Sequence, residues 1–325
     1  MRRILLLVSV VWMLTVTAKA QQLPLYSQYL MNGYLLNPAL AGHDGYTSFN
    51  MTARQQWLGF PNAPQTESFS AQTRILKRSF IIKSRSVNNK KFKPSTNGRV
   101  GLGGFIYHDL NGAVERTGIS GSYAYHIFLR ENQLSFGISA GVYQFRIRSE
   151  DITYLDDGDM VIEEGMREVL YVPDANFGVH YMSYKYFVGF SINNLFQSYL
   201  KMGDEYLDEF KQLRHYYLFG GYRFYFSRDH ELETSTLIKM TERLTIQADI
   251  GAKYYYKQDY WAGIYYRTTN TLITLIGVRY NQLHIGYAFD YNFSPIREYS
   301  WGSHELVIAL KLGDSARRYR WLNRY

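Results

Sequence analysis

The chain has no cysteine among its 325 residues. That excludes a disulfide-stapled scaffold and a cysteine-based metal site. Long apolar runs are also missing. Beyond the first twenty residues, no stretch approaches the ~18 apolar residues that a membrane-spanning helix needs. The mean hydropathy is slightly negative, −0.29, which excludes a helical membrane protein. Catalytic signatures are absent as well. The eight histidines (His43, His108, His126, His180, His215, His230, His284 and His304) fall in no H-E-x-x-H or H-x-H spacing. The string Gly137-Ile138-Ser139-Ala140-Gly141 fits G-x-S-x-G, but it falls inside an alternating stretch with no helix after it, so it makes no nucleophile elbow. Gly101 and Gly103 make no phosphate loop, because no helix follows them. His304 and Glu305 are strand neighbours that point to opposite faces, which suits neither a metal site nor a dyad. A Ser–His pair assembled across strands stays open, since such pairs are distant in sequence.

What the chain does have is aromatic residues and alternation. Aromatics make up 17%, with 31 tyrosines. In residues 281–293, Leu283, Ile285, Tyr287, Phe289 and Tyr291 share one parity. His284, Gly286, Ala288, Asp290 and Asn292 share the other. Successive strand side chains alternate in direction, so this strand has one greasy face and one wet face. The same pattern recurs at 49–57, 65–76, 100–107, 117–129, 134–142, 175–183, 186–192, 216–226, 232–238, 244–254, 260–267, 272–280 and 306–312. The expectation is an all-β transmembrane antiparallel barrel of about fourteen strands, an even number as single-chain bacterial barrels require. Tyr and Trp are the residues that form girdles at the two membrane interfaces of such a barrel.

The first twenty residues read as a secretory signal. Arg2 and Arg3 precede an apolar stretch from Ile4 to Val16, and Ala18-Lys19-Ala20 fits the small-residue cleavage pattern. Cleavage is expected near Ala20, with the mature protein placed in the outer membrane of a Gram-negative cell. The implied organisation is a signal peptide (1–20), an N-terminal plug or hook (21–43), the barrel (44–313) and a basic aromatic tail (314–325).

Charge is unevenly spread. Residues 77–99 carry eight basic side chains and no acid, among them Lys90, Lys91 and Lys93. Residues 150–168 carry eight acids and one base. Tight polar turns are expected on the periplasmic side at 130–132, 184–185, 228–229, 257–259 and 281–282. Long outer connections are expected at 149–173 and 194–214. The basic stretch breaks this rule, because it falls on the periplasmic side and is long. Nucleic acid is not the expected partner, since no aromatic platform or binding motif accompanies the basic run. Asp156-Asp157-Gly158-Asp159 could supply oxygens to calcium but lacks the EF-hand spacing, and a solvated outer loop is the plainer expectation. No cofactor is expected.

Several segments carry a specific likeness. Residues 27–42 (SQYLMNGYLLNPALAG) and 54–66 (RQQWLGFPNAPQT) resemble the PorP/SprF family. So do the stretch from Gly101 to Ile127 and the closing Gly302-Ser303-His304-Glu305-Leu306. The motif positions are Asn37, Pro38, Gly42, Arg54, Trp57, Gly59, His304 and Glu305, for which a structural role is expected. The resemblance implies a non-enzymatic outer-membrane barrel of the type IX secretion and gliding machinery of Bacteroidetes. The implied partners are a periplasmic ring lipoprotein with associated subunits in one branch, or a secreted surface adhesin in the other. The motif at 27–42 precedes the first strand and is broken by Asn37-Pro38. Tyr26, Tyr29, Leu30 and Tyr34 have roughly helical spacing, so a short helix or hook that enters the lumen or seals its periplasmic mouth is expected. In the tail, Arg317, Arg318, Arg320 and Trp321 combine residue types enriched in binding hot spots. They equally suit lipid headgroups and the membrane interface. The alternatives from other classes are a passive channel or hydrophobic-solute transporter and a barrel lipid hydrolase.

Overall fold

The computed structural model describes residues 26–75, 99–129, 132–148, 169–197 and 212–312. Fourteen antiparallel strands close into a barrel, each bonded to its sequence neighbours and the first to the last. They are β1 (Thr47–Gln55), β2 (Gln65–Ile75), β3 (Val100–Asn111), β4 (Val114–Leu129), β5 (Asn132–Ile147), β6 (Leu170–Met182) and β7 (Tyr186–Asn193). The second half comprises β8 (His215–Tyr225), β9 (His230–Thr241), β10 (Ile246–Tyr256), β11 (Tyr260–Arg267), β12 (Thr271–Tyr280), β13 (Leu283–Asn292) and β14 (Ser303–Leu312). The seam between β1 and β14 runs from Thr47↔Leu312 to Gln55↔His304. A closed sheet leaves no unpaired edge, which is what hydrocarbon demands of a spanning backbone.

The expected strands are all present, with shifted ends. β1 stops at Gln55 because Trp57 (φ +51°) turns the chain in the left-handed region. β4 and β5 reach 16 residues each, longer than alternation alone implies, because glycines and serines blur the contrast between their faces.

The wall is inverted relative to a soluble domain. On β1 the buried residues are Ser48, Asn50, Thr52 and Arg54, while Met51 is 58% exposed. On β14 Ser303 and Glu305 are buried, and Leu306, Ile308 and Leu310 face outward. Around the outside Ile119, Ile138, Ile264 and Ile276 are all exposed. Tyr186, Tyr254, Tyr260 and Tyr280 sit outward near one end of the strands, and Tyr171, Tyr266 and Tyr291 near the other. An apolar belt between two tyrosine girdles is the exterior of a lipid-embedded barrel.

The two rims differ. β1 begins and β14 ends at the same rim, here called the terminal rim. It carries the short turns at 183–185, 226–229, 257–259 and 281–282. Ile75 and Val100 also pair there, so the connection between β2 and β3 leaves and returns at this rim. The opposite loop rim carries 56–64, 112–113, 242–245, 268–270 and 293–302, and both long connections depart from it. The basic stretch (76–98), the acidic stretch (150–168) and the tail (313–325) lie outside the described residues.

Candidate functional site

The lumen is occupied by the chain's own N-terminal segment, residues 26–46. Two 3-10 turns, Gly33–Leu35 and Pro38–Leu40, are its regular elements. No α-helix forms over Tyr26, Tyr29, Leu30 and Tyr34. The segment runs through the middle of the barrel, so its tyrosines reach opposite walls instead of sharing one face. The Tyr34 hydroxyl donates to Ser122 Oγ on β4 at 2.9 Å. Tyr29 Oη lies 3.2 Å from Ser235 Oγ on β9.

The segment starts near the loop rim, where it meets a buried charge cluster. Arg54 contacts Asp290 at 2.7 Å and Glu305 at 3.2 Å. Arg267 contacts Asp249 at 2.8 Å and Asp290 at 3.4 Å. All five side chains are almost wholly shielded. Three carboxylates against two guanidinium groups leave one negative charge over. The N-terminal segment answers it: the Ser27 and Gln28 amides donate to the two Glu305 carboxylate oxygens at 2.7 and 2.8 Å. The Ser27 hydroxyl donates to Asp290 at 2.7 Å and accepts from Arg54 at 2.9 Å. An ion buried without compensation costs several kcal/mol, so this cluster is complete only with the segment in place.

At mid-barrel Asn37 acts as cap and anchor. Its Oδ1 accepts from the Ala39 amide at 2.9 Å. Its Nδ2 donates to the Val179 and Phe190 carbonyls of β6 and β7, both at 3.1 Å. Pro38 opens the second 3-10 turn, and the backbone here lies directly against the wall. A Cβ added at Gly137 would overlap Ala39 N and Pro38 C, and one at Gly101 would overlap the Ala41 carbonyl. These glycines are required for close backbone approach.

The segment then reaches the terminal rim. Gly42 adopts φ +64°, a conformation that favours glycine. Arg74 Nε donates to the Gly42 carbonyl at 2.7 Å, and Lys311 pairs with Asp44 at 3.2 Å. Burial holds the His43 imidazole below its ordinary pKa, so it docks neutral. Beside it lies a vestibule of about 360 Å3 whose walls include Lys253, Arg279, Glu231 and Glu233.

The family-motif positions therefore divide. Asn37, Pro38, Gly42, Arg54 and Glu305 converge on docking the N-terminal segment. Trp57 and Gly59 shape the loop rim, where Leu58 and residues 301–302 exchange backbone bonds of 2.8 Å. His304 lies on the outward face, 2.6 Å from Tyr287 Oη. Lys90, Lys91, Lys93, Arg317, Arg318, Arg320 and Trp321 fall outside the described residues. Sequence reasoning missed Ser27, Asp249, Arg267 and Asp290 as cluster members. The available signal was a charge at inward parity, which a soluble strand would not carry.

Among the described residues, two histidines pair with a serine or threonine hydroxyl across strands. His126 Nδ1 lies 2.8 Å from Ser135 Oγ, but its Nε2 contacts the Ala41 carbonyl at 3.0 Å. His126 and Ser135 are wholly buried, and the docked segment leaves no room for a substrate. His108 Nδ1 lies 2.9 Å from Thr117 Oγ1 on the outer face, and Glu115 approaches the same nitrogen at 4.0 Å. A nucleophile and an orienting acid need opposite nitrogens of the ring, so this is not a relay.

The model of the family described as type IX secretion system membrane protein PorP/SprF matches residues 18–310. No curated protein is detectably similar in sequence. Among solved structures, the toluene transporter TodX of Pseudomonas putida is 8% identical, with a TM-score of 0.46 over 86% of this chain and 93% of that one. The outer membrane protein Omp33 of Acinetobacter baumannii is 5% identical, with a TM-score of 0.45 over 83% of this chain and all of the other.

Proposed function

This chain belongs to the PorP/SprF family of type IX secretion system membrane proteins, and from that premise we propose that it is a non-enzymatic outer-membrane platform for secretion partners. The carrying observation is the docked N-terminal segment, which threads the lumen from rim to rim and completes the buried charge cluster. A barrel with its lumen occupied by its own chain is suited to be a rigid anchor. A passive channel or solute transporter needs the space that the segment occupies.

The partner side is the terminal rim, which faces the periplasm if the barrel follows the usual rule of short periplasmic turns. Both basic stretches depart from it: the β2–β3 connection between Ile75 and Val100, and the tail after Leu312. The vestibule lies at the same rim. Basic patches gathered on one side of the membrane can steer and hold an acidic partner. Lys90, Lys91 and Lys93, with Arg317, Arg318, Arg320 and Trp321, are the proposed contacts. The partners are periplasmic ring and associated subunits of the secretion machinery; a secreted surface adhesin is the second candidate.

The test is to reverse the charge of Lys90, Lys91 and Lys93 to Glu, or to delete 316–325, and recover periplasmic partners from cross-linked cells. Lost recovery with the barrel still folded supports the platform. Unchanged recovery together with normal secretion removes these patches from the account.

A further inference from the structure

We propose that a second lumen cavity, at the loop rim, binds one pyranose ring of a carbohydrate. The cavity measures about 100 Å3 and lies between Tyr26 and the inner wall of β3 to β8. It is separate from the charge cluster, which is built from β1, β10, β11, β13 and β14. Among the described residues, three polar atoms on its lining have no hydrogen-bond partner: Arg116 Nε, Tyr143 Oη and Asn193 Oδ1. They come from three strands, and their residues are 8%, 6% and 8% exposed. Buried polar atoms in native interiors are nearly always paired, so three left open on one cavity point to a ligand.

The chemistry of the lining narrows the ligand. Arg116 and Tyr143 offer donors, and Asn193 offers an acceptor. The Asp174 carboxylate adds another acceptor on the same lining. Its charge offsets that of Arg116, so an uncharged ligand fits better than an ion. The ligand must both donate and accept, as hydroxyl groups do. Aromatic side chains make up much of the rest: Tyr26, Phe105, Tyr107 and Tyr217. A pyranose presents an apolar C–H face to such rings and a polar hydroxyl edge to the donors and acceptors. A hydrocarbon would leave all three open atoms unsatisfied. The cavity admits the edge of one ring. The lining reaches Asn193 and Asn194 at the loop-rim end of β7, the side from which a longer glycan would approach. The proposal stands whichever way the barrel is inserted.

The experiment uses the full-length barrel in a zwitterionic detergent that carries no sugar. Methyl β-D-glucopyranoside and methyl α-D-mannopyranoside are titrated by saturation-transfer NMR, with cyclohexanol as an apolar control. Saturable binding of a glycoside is expected in the millimolar range. Tyr143→Phe keeps the ring and removes the hydroxyl, and Asn193→Ala removes the acceptor; each is expected to weaken binding about tenfold. Heat-modifiable migration on gels confirms that both variants remain folded barrels. Tighter binding of a lipopolysaccharide-derived oligosaccharide would assign the ring to a surface glycan. Equal binding would assign it to free sugar. No saturable binding at tens of millimolar overturns the proposal. So does equal affinity in both variants, or cyclohexanol binding as well as the glycosides.

Discussion

Replacing Arg54 with Met tests how the lumen is held shut. Arg54 is the cation shared by Asp290 and Glu305 and bonded to Ser27. Its loss leaves Asp249, Asp290 and Glu305 facing Arg267 alone, so the excess negative charge rises from one to two. Glu305 keeps the Ser27 and Gln28 amides, and Asp290 keeps Arg267 at 3.4 Å. Removing one partner of a buried ion pair costs about 3–5 kcal/mol. Because the Ser27 contacts are part of the same network, that cost falls on docking of the N-terminal segment. Spread wholly onto docking, it shifts the equilibrium by roughly two to three and a half orders of magnitude. Water entering the lumen lowers this figure by screening. Planar-bilayer recording reads it as frequent open events in Arg54→Met that wild type lacks. Adding Glu305→Gln restores the charge balance but leaves one of the Ser27 and Gln28 amides without its acceptor, so it should reverse part of the effect, a coupling that a double-mutant cycle measures. Refutation would be Arg54→Met that stays closed and melts with wild type.

Three further outcomes follow from the same geometry. Gly137→Ala places a Cβ into Ala39 N and Pro38 C; overpacking of ~1–3 kcal/mol is expected, seen as unfolding at lower temperature on heat-modifiability gels. Acidification should loosen the segment at its other end. His43 docks neutral because burial lowers its pKa from 6.5, and the Arg74 and Lys311 charges add to this while Asp44 and the Leu40 carbonyl oppose it. Docking is therefore insensitive to pH above about 6.5, where the released imidazole is also neutral. It weakens as pH falls below that value, because only the released ring takes up a proton. Protease sensitivity of residues 26–46 should rise below pH 6.5 in wild type and rise less in His43→Asn. Breaking the mid-barrel anchor with Asn37→Ala removes bonds to both Val179 and Phe190 and should cost ~1–3 kcal/mol in the same heat-modifiability assay.

The wall was legible because its signal is local. Alternation in 283–293 places Asp290 inward and Tyr287 outward without any knowledge of neighbours, and the structure agrees. What the inward charges do was not legible. Asp290 meets Arg54 across 236 residues, and Ser27 meets Glu305 across 278; no spacing rule reaches that far. Glycine was half readable. A glycine inside a strand marks a bend or a close backbone approach, and only the threaded segment shows that at Gly137 it is the approach of Ala39. The helical spacing of Tyr26, Tyr29 and Tyr34 misled for a physical reason. Helical period reports a segment with one apolar neighbour, and this one is surrounded by wall on all sides. Arg54, Asn37 and Glu305 were singled out by family likeness alone, and geometry supplies their reason.

The central claim is that the chain's own N-terminal segment occupies the lumen of the folded barrel. Because the chain lacks cysteine, thiols placed at Asn32 and Ser70, whose side chains are 3.2 Å apart, can be joined by a short bifunctional reagent in intact cells without interference. Near-complete bridging of the double variant, with no bridge in either single variant, is the expected result. Free labelling of both thiols with no bridge formed would contradict it.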